Sequence, residues 1–167
     1  ILSASGPYQG RIRRPSDSAE PRRIAFIQCV GSRNLAHGND YCSAVCCMYA
    51  TKEAIIAREH LPNLEATIFY IDLRAFGKGF YRYYQRAGSE YGVRYVRSMI
   101  SSIKEKQQTK SLLLKYIGED SRVCEEEFDL VVLSAGLKPS HKVAELCQKL
   151  GIAVNRHGFA AIQPFSP

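Results

Sequence analysis

RIAFIQCVGSRNLAHGNDYCSAVCCMYATKEAIIARE, residues 23–59, is the stretch from which the rest of the chain is read. It opens with a nearly continuous apolar run at residues 23–29, the pattern of a strand buried on both faces in a parallel sheet. A polar loop runs through Gly31 to Tyr41. An Ala-, Lys-, Glu- and Ile-rich segment then predicts a helix over residues 42–59, stopped by Pro62. Residues 65–71 (EATIFYI) supply a second buried strand, so the helix serves as the crossover that parallel pairing requires. Four of the six cysteines, Cys29, Cys42, Cys46 and Cys47, fall within nineteen residues of one another in this unit.

Working outward, residues 72–79 (DLRAFGKG) read as a loop and residues 80–91 as a helix despite their aromatic load. Strands are expected at residues 93–98, 111–117 and 122–128, the last two forming a hairpin over the polar turn 118–121. Residues 130–134 (LVVLS) make a further buried strand ending at Gly136, and residues 142–150 a short helix with a Gly151 stop. This order predicts an α/β fold, a Rossmann-like open sheet carrying an antiparallel β insertion. Before it, residues 1–22 hold Gly6, Pro7, Gly10, Pro15 and Pro21 with no sustained period, which reads as an extended strap. The closing HGFAAIQPFSP looks like a matching strap.

Composition narrows the function. With 167 residues and 46% apolar content the chain makes one well-packed domain. No window approaches the ~18 apolar residues of a membrane span, and no signal-peptide pattern opens the chain, so a soluble, cytoplasmic protein is expected. Six cysteines in 167 residues are too sparse for a secreted disulfide scaffold. The formal charge of +7 is spread along the chain, which favours a solvated surface or a face for an acidic partner over nucleic acid. The KGFYRYY run at residues 78–84 mixes cations with aromatics as single-strand binders do, but aromatics packed on a sheet account for it equally.

The cysteine spacing is C-x12-C-x3-C-C. On a helix Cys42 and Cys46 stand one turn apart with Cys47 about 100° further round. Cys29, at the C-terminal end of the first strand, can join them, because ligands of open α/β sheets gather at that edge. The helix N-terminus favours anionic thiolates there. An iron-sulfur cluster, a four-cysteine zinc site and buried apolar thiols all remain open. The adjacent pair fits the two knuckles of structural zinc poorly, and no C-x-x-C pair suggests a redox disulfide. A [4Fe-4S] cluster on four thiolates would leave the net charge at about +5. Ser32, Arg33 and Ser43 are candidate hydrogen-bond donors to sulfur, and Tyr41, Met48 and Tyr49 candidates for a dry wall, all from proximity in sequence. His37 is a possible substitute ligand, and Cys124 and Cys147 read as structural. The first strand-to-helix turn, CVGSRN, has a single glycine, so neither a nicotinamide nor an FAD fingerprint is present.

The runs IAFIQCVGSRN, YCSAVCCMYATKEAI, FYIDLRAFGKGF and FDLVVLSAGLKP resemble the A-subunit family of CoB–CoM heterodisulfide reductase over most of the chain. That resemblance implies the nucleotide-binding-like domain inserted into a thioredoxin-reductase-type flavoprotein. Residues 23–155 would be that domain, and residues 1–22 and 156–167 the straps to an FAD domain. It further implies that Cys29, Cys42, Cys46 and Cys47 hold a [4Fe-4S] cluster in an electron-transfer module, catalytically incomplete alone. FAD would belong to the full-length protein. The implied partners are that flavin domain, other subunits of such complexes, and ferredoxin or a hydrogenase. The other reading is a non-catalytic interaction domain whose cysteines are empty or zinc-bound.

Overall fold

The computed structural model describes residues 3–162. The apolar run forms β1 (Arg23–Val30), which lies between two parallel neighbours, β2 (Glu65–Tyr70) and β7 (Leu130–Ala135), and β3 (Arg94–Arg97) extends the sheet beyond β2. Spatial order is β3-β2-β1-β7, all parallel. The β1–β2 register runs from Arg23 opposite Glu65 to Ile27 opposite Phe69. Against β7 the register holds from Ile24–Leu130 to Ile27–Leu133, then shifts before Val30 meets Ala135. That irregularity sits at the C-terminal edge, beside Cys29.

Helices α1 (Cys46–His60) and α2 (Phe80–Ser89) cover one face of this sheet. Ala50, Ala54 and Ala57 form the buried stripe of α1, and their small side chains let the helix lie close over Ile24, Phe26 and Ile68. Ile12, from the segment before β1, is buried in the same core. The opposite face is covered by an antiparallel sheet of β4 (Ile100–Glu105), β5 (Leu112–Ile117) and β6 (Val123–Phe128). Phe69 joins these two layers, its ring 4.9 Å from Tyr116 and 5.9 Å from Phe128 in edge-on contacts. The chain closes with α3 (His141–Lys149).

A polar knot ties the same layers at their margin. Glu126 of β6 accepts from Arg23 of β1 at 2.9 Å, from Arg94 of β3 at 2.6 Å, and from the Tyr116 hydroxyl. Burial pushes the Glu126 carboxyl up, but the hydrogen bonds from Arg94 and Tyr116 and the guanidinium charge outweigh it, so the group is held below the usual carboxylate range.

The expected α/β order and the 118–121 hairpin turn are present, closed by Gly118 N–H to Arg122 O at 2.8 Å. Two expectations are corrected. The first helix starts at Cys46 rather than residue 42, because Ala44 takes a left-handed backbone (φ 58°) that ends any helical run through it. A seventh strand, β4, was not expected: ISSIKE is mostly solvent-exposed and carries too little apolar alternation to announce itself. The expected closing strap lies partly outside the described residues, at 163–167. Within them, Val154 and Ala160 form an isolated bridge.

Truncating Phe69 to alanine removes the side chain that fills the seam between the two sheets. Phe69→Ala is expected to cost about 3–5 kcal/mol in denaturant unfolding. The depressed Glu126 pKa makes its contribution present above the unfolded value near ~4.3 and lost as pH falls through the lower folded value. Unfolding free energy should therefore decline on acidification below about pH 4.3, with Glu126→Gln showing a shallower decline over that window.

Candidate metal centre

Parallel strands deliver their C-terminal ends to one edge, and α1, returning from β1, must begin at that edge. Cys46 and Cys47 are the first two residues of α1 and both are buried on its sheet-facing side, in line with Ala50 and Thr51 one turn on. Cys29 meets them from the end of β1. Its φ of 61° is a left-handed conformation inside a strand, rare for a residue with a Cβ, and it re-aims the side chain where the register shifts. Cys42 lies in the loop ahead of α1, so its approach depends on the loop's path and not on helical spacing.

The Cys46 thiol sits between those of Cys29 and Cys47 and interacts with both. Hydrogen bonds from Cys29 and Cys47 hold the Cys46 pKa far below an ordinary thiol, helped by the backbone N–H groups of Cys29 and Cys46. Cys29 and Cys47 are pushed up, first by sharing that bond with Cys46 and then by burial. One thiolate therefore forms readily, and further negative charge is resisted unless a cation enters. Cys42 stands within electrostatic range of Cys47 and Arg33, and its Sγ accepts the Ala44 N–H at 3.3 Å. The Cys47 thiol donates to the Asp72 carbonyl oxygen at 3.7 Å, and the backbone at Arg74 favours its thiolate.

The surrounding side chains are mixed in role. Arg33, also left-handed (φ 54°), places Nη1 2.8 Å from Asp72 Oδ2, close enough for an ion pair though without a linear hydrogen bond, and its charge faces Cys29 and Cys42. Ser32 is buried with a hydroxyl that has no partner. Ser43 instead accepts the Leu137 N–H at 2.8 Å, clamping the cysteine loop to the end of β7. Gly136 makes that clamp possible: a Cβ there would stand 2.5 Å from Ser43 Oγ and 2.8 Å from Ser32 Cβ. Tyr49 lies near Cys46 and Cys47, its hydroxyl pushed up by burial and by their charge. With Met48 it lines an open apolar groove of about 560 Å³ that also holds Val45, Phe80 and Tyr83. Tyr41 packs on His157 and Phe159, at 4.7 and 5.3 Å between ring centres, while its hydroxyl donates to Leu137 O at 2.8 Å.

His37 lies exposed in a single 3-10 turn, 3.2 Å from Asn34 Oδ1. Cys124 is on β6 in the antiparallel layer and Cys147 is buried in α3. In the aromatic run, Tyr84 meets Tyr95 edge-on with ring centres 4.7 Å apart, and Tyr83 packs on the main core.

The donor set is all sulfur: Cys46 touches Cys29 and Cys47, with Cys42 close by, and thiolates are the ligands that iron-sulfur clusters and structural zinc both take. Among the described residues no group of three or more Cys, His, Asp or Glu side chains is arranged to hold a single metal ion. Every buried side-chain polar atom without a partner among the described residues belongs to Gln28, Ser32, Arg33 or Ser134, all at this one edge. Buried polar groups usually have partners, so this concentration sets the edge apart from the rest of the interior. Gln28 and Ser134 were not singled out from sequence; a glutamine inside the apolar run RIAFIQC was the available signal for the first.

Solved structures give the class. Thioredoxin reductase of T. acidophilum superimposes with a TM-score of 0.54 at 14% identity, covering 84% of this chain and 38% of that one. LpdA from Mycobacterium tuberculosis gives 0.52 at 12% identity, covering 89% and 28%. The fold is thus that of an α/β domain of thioredoxin-reductase-type flavoproteins. No family profile matches the chain. Its sequence is 46% identical over 162 residues to one of two iron-sulfur A subunits of the CoB–CoM heterodisulfide reductase of Methanopyrus kandleri, and 43% identical to the corresponding protein of Methanocaldococcus jannaschii. Each match covers 95% of this chain and 24% of the relative. The chain belongs to the A-subunit family of heterodisulfide reductase, and it spans about a quarter of the length of those curated relatives. Among the described residues no helix is long and apolar enough to cross a membrane.

The clamp at Gly136 is testable without any metal. Gly136→Ala is expected to cost about 1–3 kcal/mol by overpacking. Combined with Ser43→Ala it should cost less than the sum of the two single variants in an unfolding double-mutant cycle.

Proposed function

We propose that this chain is an electron-relay segment of a heterodisulfide-reductase-type iron-sulfur flavoprotein, with a [4Fe-4S] cluster held by Cys29, Cys42, Cys46 and Cys47. The observation that carries the reading is the meeting of Cys29, Cys46 and Cys47 at the N-terminus of α1, with Cys42 in the adjoining loop. When bound, the cluster supplies one-electron redox chemistry at a potential its surroundings set.

The chain's own groups have distinct tasks. The positive end of α1 offsets thiolate charge on Cys46 and Cys47. The N–H of Ala44 donates to the sulfur of Cys42, and the backbone at Arg74 favours negative charge on Cys47, limiting the cost of charge build-up on reduction. Arg33 adds a cation held in place by Asp72, and Ser32 offers an unpartnered hydroxyl. Ser43 serves by holding the loop, since its oxygen is engaged by Leu137. Tyr41 and Tyr49 narrow the access of water.

The names of the relatives support a choice of electron donors and acceptors. Those of Methanothermobacter and Methanosarcina are described as ferredoxin reductase or ferredoxin-dependent subunits. A flavin domain of the same protein, partner subunits and ferredoxin or a hydrogenase are accordingly the proposed exchange partners. A cytoplasmic setting suits such soluble carriers.

Anaerobically purified protein should contain about four iron and four acid-labile sulfide per chain for this site, with brown colour. Cys46→Ala should abolish them. Zinc, or no metal in a folded chain, would overturn the relay reading and leave a non-catalytic interaction domain.

A further inference from the structure

We infer that Gln28 is a positioning residue that sets the redox potential of the proposed cluster, donating its side-chain amide to cluster sulfur, with the Ser134 hydroxyl as a second donor. The inference rests on the cluster reading above and deepens it. Gln28 is only 6% exposed, yet neither its amide nitrogen nor its amide oxygen has a partner; Ser134, 2% exposed, is in the same condition. Native interiors rarely leave such groups unmatched without an ion, water or ligand beside them.

Placement identifies that neighbour. Strand alternation puts Ile24, Phe26 and Gln28 on the face of β1 that α1 covers, and Ile24 and Phe26 are in the helix-facing core. The helix runs opposite to the strand, so its buried stripe descends through Ala57, Ala54 and Ala50 to Cys46 and Cys47 as β1 rises to Gln28. Gln28 therefore stands on the α1-covered face of β1, at the strand end over which α1 begins, and directly precedes Cys29. On β7, Leu130 and Val132 share the same face, which carries Ser134 to the flank of Gln28. The regular β1–β7 register ends at Ile27–Leu133 and resumes at Val30–Ala135, so Gln28 and Ser134 stand where the ladder is interrupted.

The chemistry is complementary. An amide NH2 offers two donors and a hydroxyl one, whereas cysteinate and inorganic sulfur are acceptors only. Because reduction adds negative charge to sulfur, a donor there favours the reduced state and raises the potential. A purely structural Gln28 would behave otherwise: replacing an orphaned amide by an apolar group of similar shape leaves stability unchanged or improves it.

The test compares parent, Gln28→Leu and Gln28→Met proteins, prepared anaerobically as the full chain. Three readouts are taken: iron and sulfide content, EPR-monitored potential, and exchangeable-deuteron hyperfine coupling after transfer to D2O. The expected result is full cluster content with the reduction equilibrium shifted about tenfold toward the oxidised state in both variants, about 59 mV lower for one electron. One exchangeable coupling should be lost, while the metal-free chain unfolds at no lower denaturant concentration. Unchanged potential and coupling in cluster-loaded variants would overturn this inference and leave the relay reading standing. A parent chain without iron and sulfide would overturn the relay reading itself, and this inference with it.

Discussion

The seat of β1 between β2 and β7 governs the rest of the molecule. Parallel pairing on both sides forces three strands to finish at one edge and obliges the connection after β1 to return across a face of the sheet. The first residues of α1 are thereby brought over the end of β1, where the left-handed turn at Cys29 breaks the register. Were β1 an edge strand, Ser134, Gly136 and the Ser43–Leu137 clamp would have no place beside the thiols.

Close approach is the second requirement. Ala50, Ala54 and Ala57 are wholly buried and small, so α1 settles onto the sheet and presses its first turn toward Gln28 and Cys29. On the opposite face the large side chains Phe69, Tyr116 and Phe128 fill the seam to the antiparallel layer, and the Glu126 knot closes its margin. The sheet edge that carries the thiols is thus backed on both faces.

That edge carries an unusual load of polar groups without partners, set against a core otherwise satisfied among the described residues. It also concentrates left-handed backbone at Cys29, Arg33 and Ala44. Strain and unmatched polarity thus fall in the same few residues, around the thiols of Cys29, Cys46 and Cys47. The segment after α3 adds a cover to one side: Arg156 and His157 bind Asp40 at 2.7 and 3.2 Å while Tyr41 packs on His157 and Phe159.

Period and spacing were enough to recognise the β-α-β unit, the hairpin and the four-cysteine set, because buried strands and clustered thiols leave local signatures in residue type. β4 escaped because ISSIKE is held by ladder pairing to β5 and not by its own apolar pattern. The helix start escaped because Ala44, a good helix former, is turned left-handed by the loop it closes. Sequence by itself determined that four thiols would share one sheet edge. Only the tertiary structure decided how they approach: Cys29 through a backbone turn and Cys42 from a loop, with Gln28 and Ser134 buried at the same edge. Those placements arise from register, close packing and the opposing run of helix and strand, which are relations between segments distant in the chain.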